Sequence, residues 1–151
     1  MQKILIIFTF ILLISSNSFS SEKDYFMMLK YSKVNVRFGP SRDHPIKFVY
    51  KKVFLPVKVI DKKDNFRKVI DNKKNSGWIH SSQLKKNSSI ILKDTKILFT
   101  KPNKYSKPLA NINIGRLLRI IKCEKKWCKV QTDNLKGWIT AVNLWGYDKV
   151  N

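Results

Sequence analysis

Short runs of apolar and polar residues, separated by turn-forming residues, cover most of the chain. No stretch sustains a period of 3.6 residues, so the pattern predicts β-strands rather than helices. Strands are expected at residues 35–38, 47–50, 55–60, 66–70 and 77–80, and again at 96–100, 117–121, 127–131 and 137–140. Residues 25–30 are expected to form a further strand or an edge segment in front of them. The pattern therefore indicates an all-β protein.

The second half of this pattern repeats the first. Residues 34–84 lie over residues 95–144 when they are shifted by 61 positions, and by 60 after one residue is lost. The matched pairs include Val36 with Ile97, Phe38 with Phe99, Val57 with Leu118, Phe66 with Trp127, Val69 with Val130, Gly77 with Gly137 and Trp78 with Trp138. Apolar positions coincide while charged positions differ, as expected of two copies that share one core. Two tandem antiparallel barrels of about 50 residues are predicted.

Residues 1–20 do not follow the alternating strand pattern. A positive start precedes an apolar run at residues 4–14, and small residues follow it up to Ser20. This order is typical of a secretory signal peptide, with cleavage expected after Ser20. An uncleaved anchor is the alternative, although the run is shorter than the ~18–20 residues that span a bilayer. A periplasmic or secreted chain with no transmembrane span after processing is predicted.

These patterns divide the chain into five parts. The expected parts are a signal peptide at 1–20, a lead-in segment at 21–33, a first module at 34–84, a linker at 85–94 and a second module with a C-terminal extension at 95–151. The closing Trp145, Gly146 and Tyr147 are expected to pack on the second module.

The net charge is strongly positive, at +21 at pH 7. Such a charge favours anionic partners, including lipopolysaccharide, nucleic acid or the acidic groups of a cell envelope. However, 26 of the basic residues are lysine and only 5 are arginine, and they are scattered along the chain, which is also what a codon bias produces. A dedicated nucleic-acid interface would cluster arginine and aromatic residues, so none is expected.

The two cysteines, Cys123 and Cys128, are close together in an exported chain, which favours a structural disulfide. Free thiols and a redox-active pair are the alternatives, but the spacing is not the Cys-x-x-Cys of thiol oxidoreductases. The chain has only two histidines, His44 and His80, and neither lies at metal-site spacing. No metal and no cofactor are expected.

A 50-residue barrel has a thin core, so a few large side chains are expected to supply most of it. Two pairs of aromatic residues occupy matching repeat positions: Phe66 with Trp127, and Trp78 with Trp138. They are predicted to be structural core residues, and an aromatic ligand platform is the alternative. Gly77 and Gly137, which precede the two matched tryptophans, indicate positions where a side chain would clash.

Several motifs resemble those of bacterial SH3-like (SH3b) domains. The stretch Val34-Asn35-Val36-Arg37-Phe38-Gly39-Pro40-Ser41 resembles their opening, and Gly77-Trp78-Ile79-His80 with Gln83-Leu84 resembles their close. Trp127-Cys128-Lys129-Val130, Gly137-Trp138-Ile139 and Asn143-Leu144-Trp145-Gly146 are similar to secreted tandem SH3b proteins common in alphaproteobacteria. The resemblance implies two five-stranded SH3-like β-barrels with a non-catalytic targeting or scaffolding role, and peptidoglycan or peptide ligands. The second module lacks the Asn-Val-Arg and Gly-Pro elements, so a ligand groove is expected in the first.

Three residues of the first module are candidate ligand contacts. Arg37 can bind a carboxylate through two parallel hydrogen bonds, although it can instead hold its own loop through Asp43 or Asp71. His80 follows Trp78 by two positions and is either a ligand contact or an ordinary surface residue. Tyr50 has no aromatic counterpart in the second module, so it either recognises a ligand or covers a barrel edge.

No arrangement of residues indicates an active site. The cysteines fall in the second module and the histidines in the first, no phosphate-binding glycine loop occurs, and two barrels use the whole mature length. The sequence therefore predicts a non-catalytic, exported binding or scaffolding module that engages peptidoglycan or an envelope protein. The alternatives are an electrostatic binder of nucleic acid or lipopolysaccharide, and a thiol-disulfide redox protein.

Overall fold

The structure is a computed structural model that describes residues 23–148. The expected signal peptide at 1–20 lies outside the described residues. Within the described residues the regular structure is β-strand throughout, apart from one short 3₁₀ turn at Ser81–Gln83. The chain is therefore all-β, as the alternating pattern predicts.

Fourteen strands form two sheets that repeat the same order. The first sheet contains β1 (Tyr25–Leu29), β2 (Val34–Arg37), β3 (Ile46–Tyr50), β4 (Pro56–Lys63), β5 (Phe66–Ile70), β6 (Ser76–His80) and β7 (Leu84–Lys86). The second contains β8 (Ser89–Leu92), β9 (Lys96–Phe99), β10 (Pro108–Ile112), β11 (Leu117–Glu124), β12 (Trp127–Gln131), β13 (Lys136–Thr140) and β14 (Leu144–Trp145). The strand orders are β3-β2-β6-β5-β4-β1-β7 and β10-β9-β13-β12-β11-β8-β14, so each sheet forms one SH3-like domain.

Each domain has seven strands rather than the five expected, because segments read as a lead-in and a linker are paired strands. In the first domain β1 lies between β4 and β7, with Leu29 opposite Leu84. In the second domain β8 lies between β11 and β14, with Leu92 opposite Leu144. Every residue of β8 is buried, which explains why residues 85–94 do not form a free linker. Both pairings join segments that are distant in sequence.

The interior of each domain is aliphatic. The fully buried side chains of the first domain include Leu29, Val34, Val36, Val57, Val69 and Ile79, and those of the second include Ile90, Leu92, Leu98, Leu118, Val130 and Ile139. The four predicted core aromatics lie outside both clusters. Phe66 and Trp138 are buried and Trp78 and Trp127 are half-buried, all on the outer face of the strands. The neighbouring Ile79 and Ile139 take the interior positions because successive residues of a strand face opposite sides.

At β9, the offset between matched positions of the two repeats is one residue larger than the sequence alignment predicts. Leu98, not Ile97, is the counterpart of Val36, because Leu98 is fully buried while Ile97 is 44% exposed. The two matched glycines support the pairing of Val36 with Leu98. A Cβ on Gly77 would meet Val36 Cγ1 at 2.4 Å, and one on Gly137 would meet Leu98 Cγ at 2.6 Å. The shift at this strand is therefore 62, and the expected match of Phe38 with Phe99 is wrong.

The two domains pack against each other. The side chain of Trp145 packs on the first domain's interior cluster, although it was expected to pack on the second module. Its Nε1 donates a hydrogen bond to the carbonyl of Pro56 at 2.9 Å, and its ring meets Phe26 edge-on at 5.1 Å. Ile91 of β8 is buried in the same cluster, whereas Tyr147 packs on the second domain. The interface is therefore built from both apolar contact and directed hydrogen bonds.

Phe54 forms a second part of the interface between the two domains. It has a positive φ of 62°, a conformation that is unfavourable for a bulky residue. Its ring lies 4.1 Å from the guanidinium carbon of Arg119 and 4.6 Å from Lys85 Nζ, and its carbonyl accepts from Ser89 Oγ at 2.6 Å. The contacts with Arg119 and Ser89 of the second domain, together with that of Lys85 in its own domain, offset the backbone strain.

Candidate functional site: a basic pocket on the first domain

The outer face of the first sheet gathers polar residues around Trp78. Arg37 of β2 and Lys68 of β5 lie opposite Trp78 on its two neighbouring strands, so the three side chains share one face. His80 lies opposite Phe66 on the same face. The alternation that buries the aliphatic residues therefore places a basic and aromatic surface on the other side of these strands.

A pocket of about 250 Å³ opens on this face, beside the 3₁₀ turn. It is lined by Asn35, Arg37, Arg42, Phe66, His80, Ser82 and Gln83. The pocket brings together Arg37 and His80, two of the three residues that the sequence analysis proposes as ligand contacts. All the charged side chains in this lining are basic, so the pocket suits an anion.

Arg37 both shapes the pocket and borders it. One of its guanidinium nitrogens, Nη1, donates to the carbonyl of His44 at 2.7 Å, which closes the loop between β2 and β3. Its loop partner is therefore a backbone carbonyl rather than Asp43 or Asp71. A guanidinium has five N–H donors, so donors remain for a ligand.

The loop between β2 and β3 has a fixed shape that brings in Arg42. The amide of Phe38 donates to the carbonyl of Pro45 at 3.2 Å, and Ser41 Oγ lies 2.9 Å from His44 Nδ1. The His44 ring covers Gly39, where a Cβ would lie only 2.2 Å from it. The Gly-Pro-Ser sequence thus serves loop packing, and Arg42 lines the pocket from the same loop.

His80 begins the 3₁₀ turn. Its Nδ1 accepts the backbone amide of Ser82 at 3.3 Å and lies 2.8 Å from Ser82 Oγ. A ring nitrogen that accepts an amide carries no hydrogen, so the neutral ring has its N–H on Nε2. The ring also meets Phe66 edge-on at 5.1 Å. His80 therefore enters the site in a fixed orientation as a hydrogen-bond donor.

Tyr50 does not join this pocket. Its ring packs on the first domain's interior cluster and meets Phe48 edge-on at 5.1 Å. Its hydroxyl donates to Asp71 Oδ2 at 3.1 Å, and Asp71 also accepts from the amides of Lys73 and Asn75. Burial, followed by the nearby Asp71 carboxylate, raises the pKa of Tyr50 well above its ordinary value. Tyr50 thus fixes the turn before β6, with its ring and its hydroxyl both engaged within the first domain.

The sequence analysis did not single out Arg42, Ser82 or Gln83. Gln83 Oε1 is buried, and within the described residues no donor reaches it. A buried carbonyl oxygen without a donor is costly, so a ligand N–H at this point would be favourable. The sequence signal for these residues is their place beside or within the motifs: Arg42 follows Gly-Pro-Ser, Ser82 follows Gly-Trp-Ile-His, and Gln83 belongs to the closing Gln-Leu pair.

A larger and shallower cleft of about 710 Å³ lies between Lys52 and the loop that joins β10 to β11. Two charged residues in its lining, Arg116 and Asp133, already pair with each other at 2.9 Å. The smaller pocket therefore offers more charge for a ligand, although it has less volume.

The predicted disulfide is present between Cys123 and Cys128. The two residues lie opposite each other across the β11–β12 hairpin, and Cys128 belongs to the second domain's interior cluster. A fully buried sulfur is poorly placed for thiol exchange, which favours a structural role.

Two further properties concern the described residues as a whole. Across residues 23–148, His, Cys, Asp and Glu side chains do not gather in a group of three that could hold a metal ion. In the same range, no helix has the length and apolarity needed to cross a membrane.

The comparison with known families agrees with this architecture. The family model of the bacterial SH3 domain matches the chain twice, at residues 30–86 and 93–146. Each match covers one sheet apart from its first strand, β1 in the first sheet and β8 in the second. No curated protein matches the chain.

Three solved structures are similar at low identity. NlpC2 and NlpC1 from Trichomonas vaginalis are 11% and 12% identical over 83% and 85% of this chain, each with a TM-score of 0.38. An NlpC/P60 family protein from Bacillus cereus is 15% identical over 79% of the chain, with a TM-score of 0.37. The chain spans about half the length of these proteins, at 49%, 48% and 55%.

Proposed function

This chain belongs to the bacterial SH3 domain family, and from that premise we propose that it is a non-catalytic binding module of the cell envelope. Its first domain would hold a carboxylate of the ligand in the basic pocket. The ligand class that we propose is the stem peptide of peptidoglycan, which carries free carboxylates, or an envelope protein segment that presents the same group. The N-terminal pattern of residues 1–20 supports export to the compartment where these ligands occur.

One observation carries this proposal: Arg37, Arg42 and His80 line the same pocket. Arg37 and His80 are each fixed by a hydrogen bond to the protein, so their remaining donors are already oriented before a ligand arrives. Pre-oriented donors lose less entropy on binding than flexible lysines do. This distinguishes the pocket from the scattered lysines of the rest of the surface.

The amide of a peptide ligand has a matching partner in the same pocket. Gln83 lines the pocket, and its Oε1, which has no donor in the folded protein, would turn toward an N–H next to the bound carboxylate. A peptide supplies both a carboxylate and a neighbouring amide N–H, whereas a simple anion supplies only the negative charge. The pocket is therefore better suited to a peptide carboxylate than to a phosphate.

The test is a calorimetric titration of the exported protein with a soluble muropeptide whose stem carboxylates are free. The same muropeptide with amidated carboxylates is the ligand control. Arg42→Ala should weaken binding about tenfold, since a charge-assisted hydrogen bond contributes ~1.5–3 kcal/mol. Lys104→Ala is the matched protein control, because Lys104 lies at the equivalent point of the β9–β10 loop. It should bind like the parent protein.

An electrostatic binder would behave differently. Equal weakening by Arg42→Ala and Lys104→Ala, together with binding that disappears at a few hundred millimolar salt, would indicate charge alone. Equal affinity for the free and amidated muropeptides would also contradict a carboxylate pocket.

A further inference from the structure

The second domain carries the same outer face with different chemistry. Phe99 lies opposite Trp138, just as Arg37 lies opposite Trp78. The loops that follow also correspond, because the amide of Thr100 donates to Lys107 as that of Phe38 donates to Pro45. Counterparts of the first domain's pocket residues can therefore be assigned from the structure.

At three of five positions, an apolar side chain replaces a polar one. Asn35, Arg37, Phe66, His80 and Ser82 correspond to Ile97, Phe99, Trp127, Thr140 and Val142. We call Ile97, Phe99, Trp127 and Val142 the apolar face. Phe99 and Trp127 meet edge-on at 5.8 Å, whereas the first domain has Arg37 and Phe66 at these two positions.

The apolar face is open to solvent. Ile97 is 44% exposed and Val142 is 48% exposed, and the rings of Phe99 and Trp127 are half-buried. The aliphatic interior of the domain is complete without these side chains, since Leu98, Val130 and Ile139 are fully buried on the other side of the strands. The apolar face is therefore not required by the core, and clustered exposed apolar side chains commonly mark an interaction site.

Cations surround this face. Lys126 and Lys129 flank Trp127 along the chain, and Lys104 corresponds to Arg42 on the loop above it. Nearby carboxylates are already paired: Asp94 with Lys96, and Glu124 with Lys122. The net field at the apolar face is thus positive, which attracts acidic partners.

From these observations we infer that the second domain binds an acidic protein segment through an apolar side chain. The apolar side chain would pack against Phe99 and Trp127, and flanking Asp or Glu residues would face Lys104, Lys126 and Lys129. The two domains would then bind different groups, a carboxylate at the first and an apolar side chain at the second. The inference rests on the second domain alone and does not depend on the carboxylate pocket.

The test uses a set of blocked synthetic peptides with acidic flanks and one central residue, either Leu, Ile, Phe or Trp. Peptides with Ser at the centre carry the same charge and serve as controls. Binding to the full exported protein is followed by the side-chain N–H signal of Trp127 in NMR spectra and by fluorescence anisotropy of the labelled peptide. At least one apolar peptide should bind tenfold or more tightly than its Ser control and shift the Trp127 signal.

The protein variants copy the first domain. Ile97→Asn, Phe99→Arg and Val142→Ser introduce the residues that the first domain carries at the same places, so the triple variant is compatible with this fold. It should weaken the best peptide at least tenfold while it retains the parent melting temperature within a few degrees. Ile114→Asn is the control, because Ile114 is an exposed apolar residue of the same domain, outside the apolar face, and it should leave peptide binding unchanged.

Three results would overturn the inference. The first is equal binding of the apolar and Ser peptides, which would indicate charge alone. The second is unchanged binding by the folded triple variant. The third is a Trp127 signal that moves with a soluble glycan fragment but with none of the peptides, which would assign the apolar face to sugars.

Discussion

Arg37 and Phe99 occupy the same place in the two domains. Each lies directly opposite the tryptophan that follows the glycine of its repeat, Trp78 for Arg37 and Trp138 for Phe99. Arg37 reaches the His44 carbonyl and borders a basic pocket, whereas Phe99 packs against Trp127. The two domains thus share an interior and a topology but present different chemistry at the corresponding surface.

The glycine of each repeat should be intolerant of even a methyl group. A Cβ on Gly77 would lie 2.4 Å from Val36 Cγ1 and 2.9 Å from the Arg37 carbonyl oxygen, and the backbone oxygen cannot move without breaking the sheet. Gly77→Ala is expected to lower the free energy of unfolding by about 1–3 kcal/mol, as measured by urea denaturation. Lys136→Ala, at an exposed position on β13, is the control and should change stability little. An unchanged midpoint for Gly77→Ala would contradict this packing.

The contact of Trp145 with the first domain should hold the two domains together. Trp145→Ala removes the hydrogen bond to Pro56 and the edge-on contact with Phe26. We expect a loss of about 3–5 kcal/mol and a calorimetric trace in which one unfolding transition separates into two. Tyr105→Ala serves as the control because Tyr105 is 88% exposed. A single transition at the parent temperature would show that the interface contributes little.

The disulfide should stabilise the second domain without being needed for its fold. The first domain has Lys62 and Arg67 at the corresponding opposed positions of its hairpin and adopts the same topology. The double variant Cys123→Ala, Cys128→Ala is expected to fold and to lose about 2 kcal/mol from the closed loop, plus the contribution of the smaller buried side chain at 128. Denaturation with and without reductant measures this, and the variant should be insensitive to reductant. Failure to fold would make the disulfide essential.

Acid should weaken the ion pair between Asp94 and Lys96. The hydrogen bonds from Lys96 and then Asn143 lower the pKa of Asp94 below its ordinary value. A lowered pKa in the folded state adds stability above the unfolded pKa of about 4, and this contribution is lost as the pH falls through the folded pKa. The difference in stability between the parent and Asp94→Asn should therefore shrink as the pH falls below about 4.

A second variant separates this ion pair from a general effect of charge. Lys96 is 8% exposed at an interior position of β9, so Asp94→Asn leaves a buried cation with Thr140 Oγ1 as its partner at 3.4 Å. The double variant Asp94→Asn, Lys96→Met should recover stability, because an apolar side chain suits this position. If it proved less stable than Asp94→Asn alone, the ion pair would not be the source of the effect.

The sequence predicted those features that depend on local pattern. Strand alternation predicted the all-β class, and the repeated apolar pattern with its Gly-Trp pairs predicted the two domains. The close spacing of Cys123 and Cys128 gave the disulfide. Each of these features depends on residues that are close together in the chain, so the sequence alone is sufficient to predict it.

Features that depend on distant pairing were missed. Residues 25–30 are expected to form a strand or an edge segment, but its partners β4 and β7 are distant in the chain, and β8 falls in the expected linker for the same reason. Of the four aromatic residues predicted for the core, Phe66 and Trp138 are buried and Trp78 and Trp127 are half-buried, while Ile79 and Ile139 face the aliphatic interior. The sequence does not decide whether Tyr50 contacts a ligand or covers a barrel edge, because its hydrogen-bond partner, Asp71, lies 21 residues away. At the site, Arg37 and His80 were found from motifs, while Arg42 and Gln83 join them only through the folded loop and turn.

The most direct test of the pocket is an NMR titration that observes both outer faces at once. The free-carboxylate muropeptide is added to the isotopically labelled protein, and the side-chain N–H signals of Arg37, Arg42, His80 and Trp127 are followed. The account predicts saturable shifts for Arg37, Arg42 and His80, with the Trp127 signal unchanged. Shifts at Trp127 alone, or no shift at the first domain at saturating muropeptide, would contradict it.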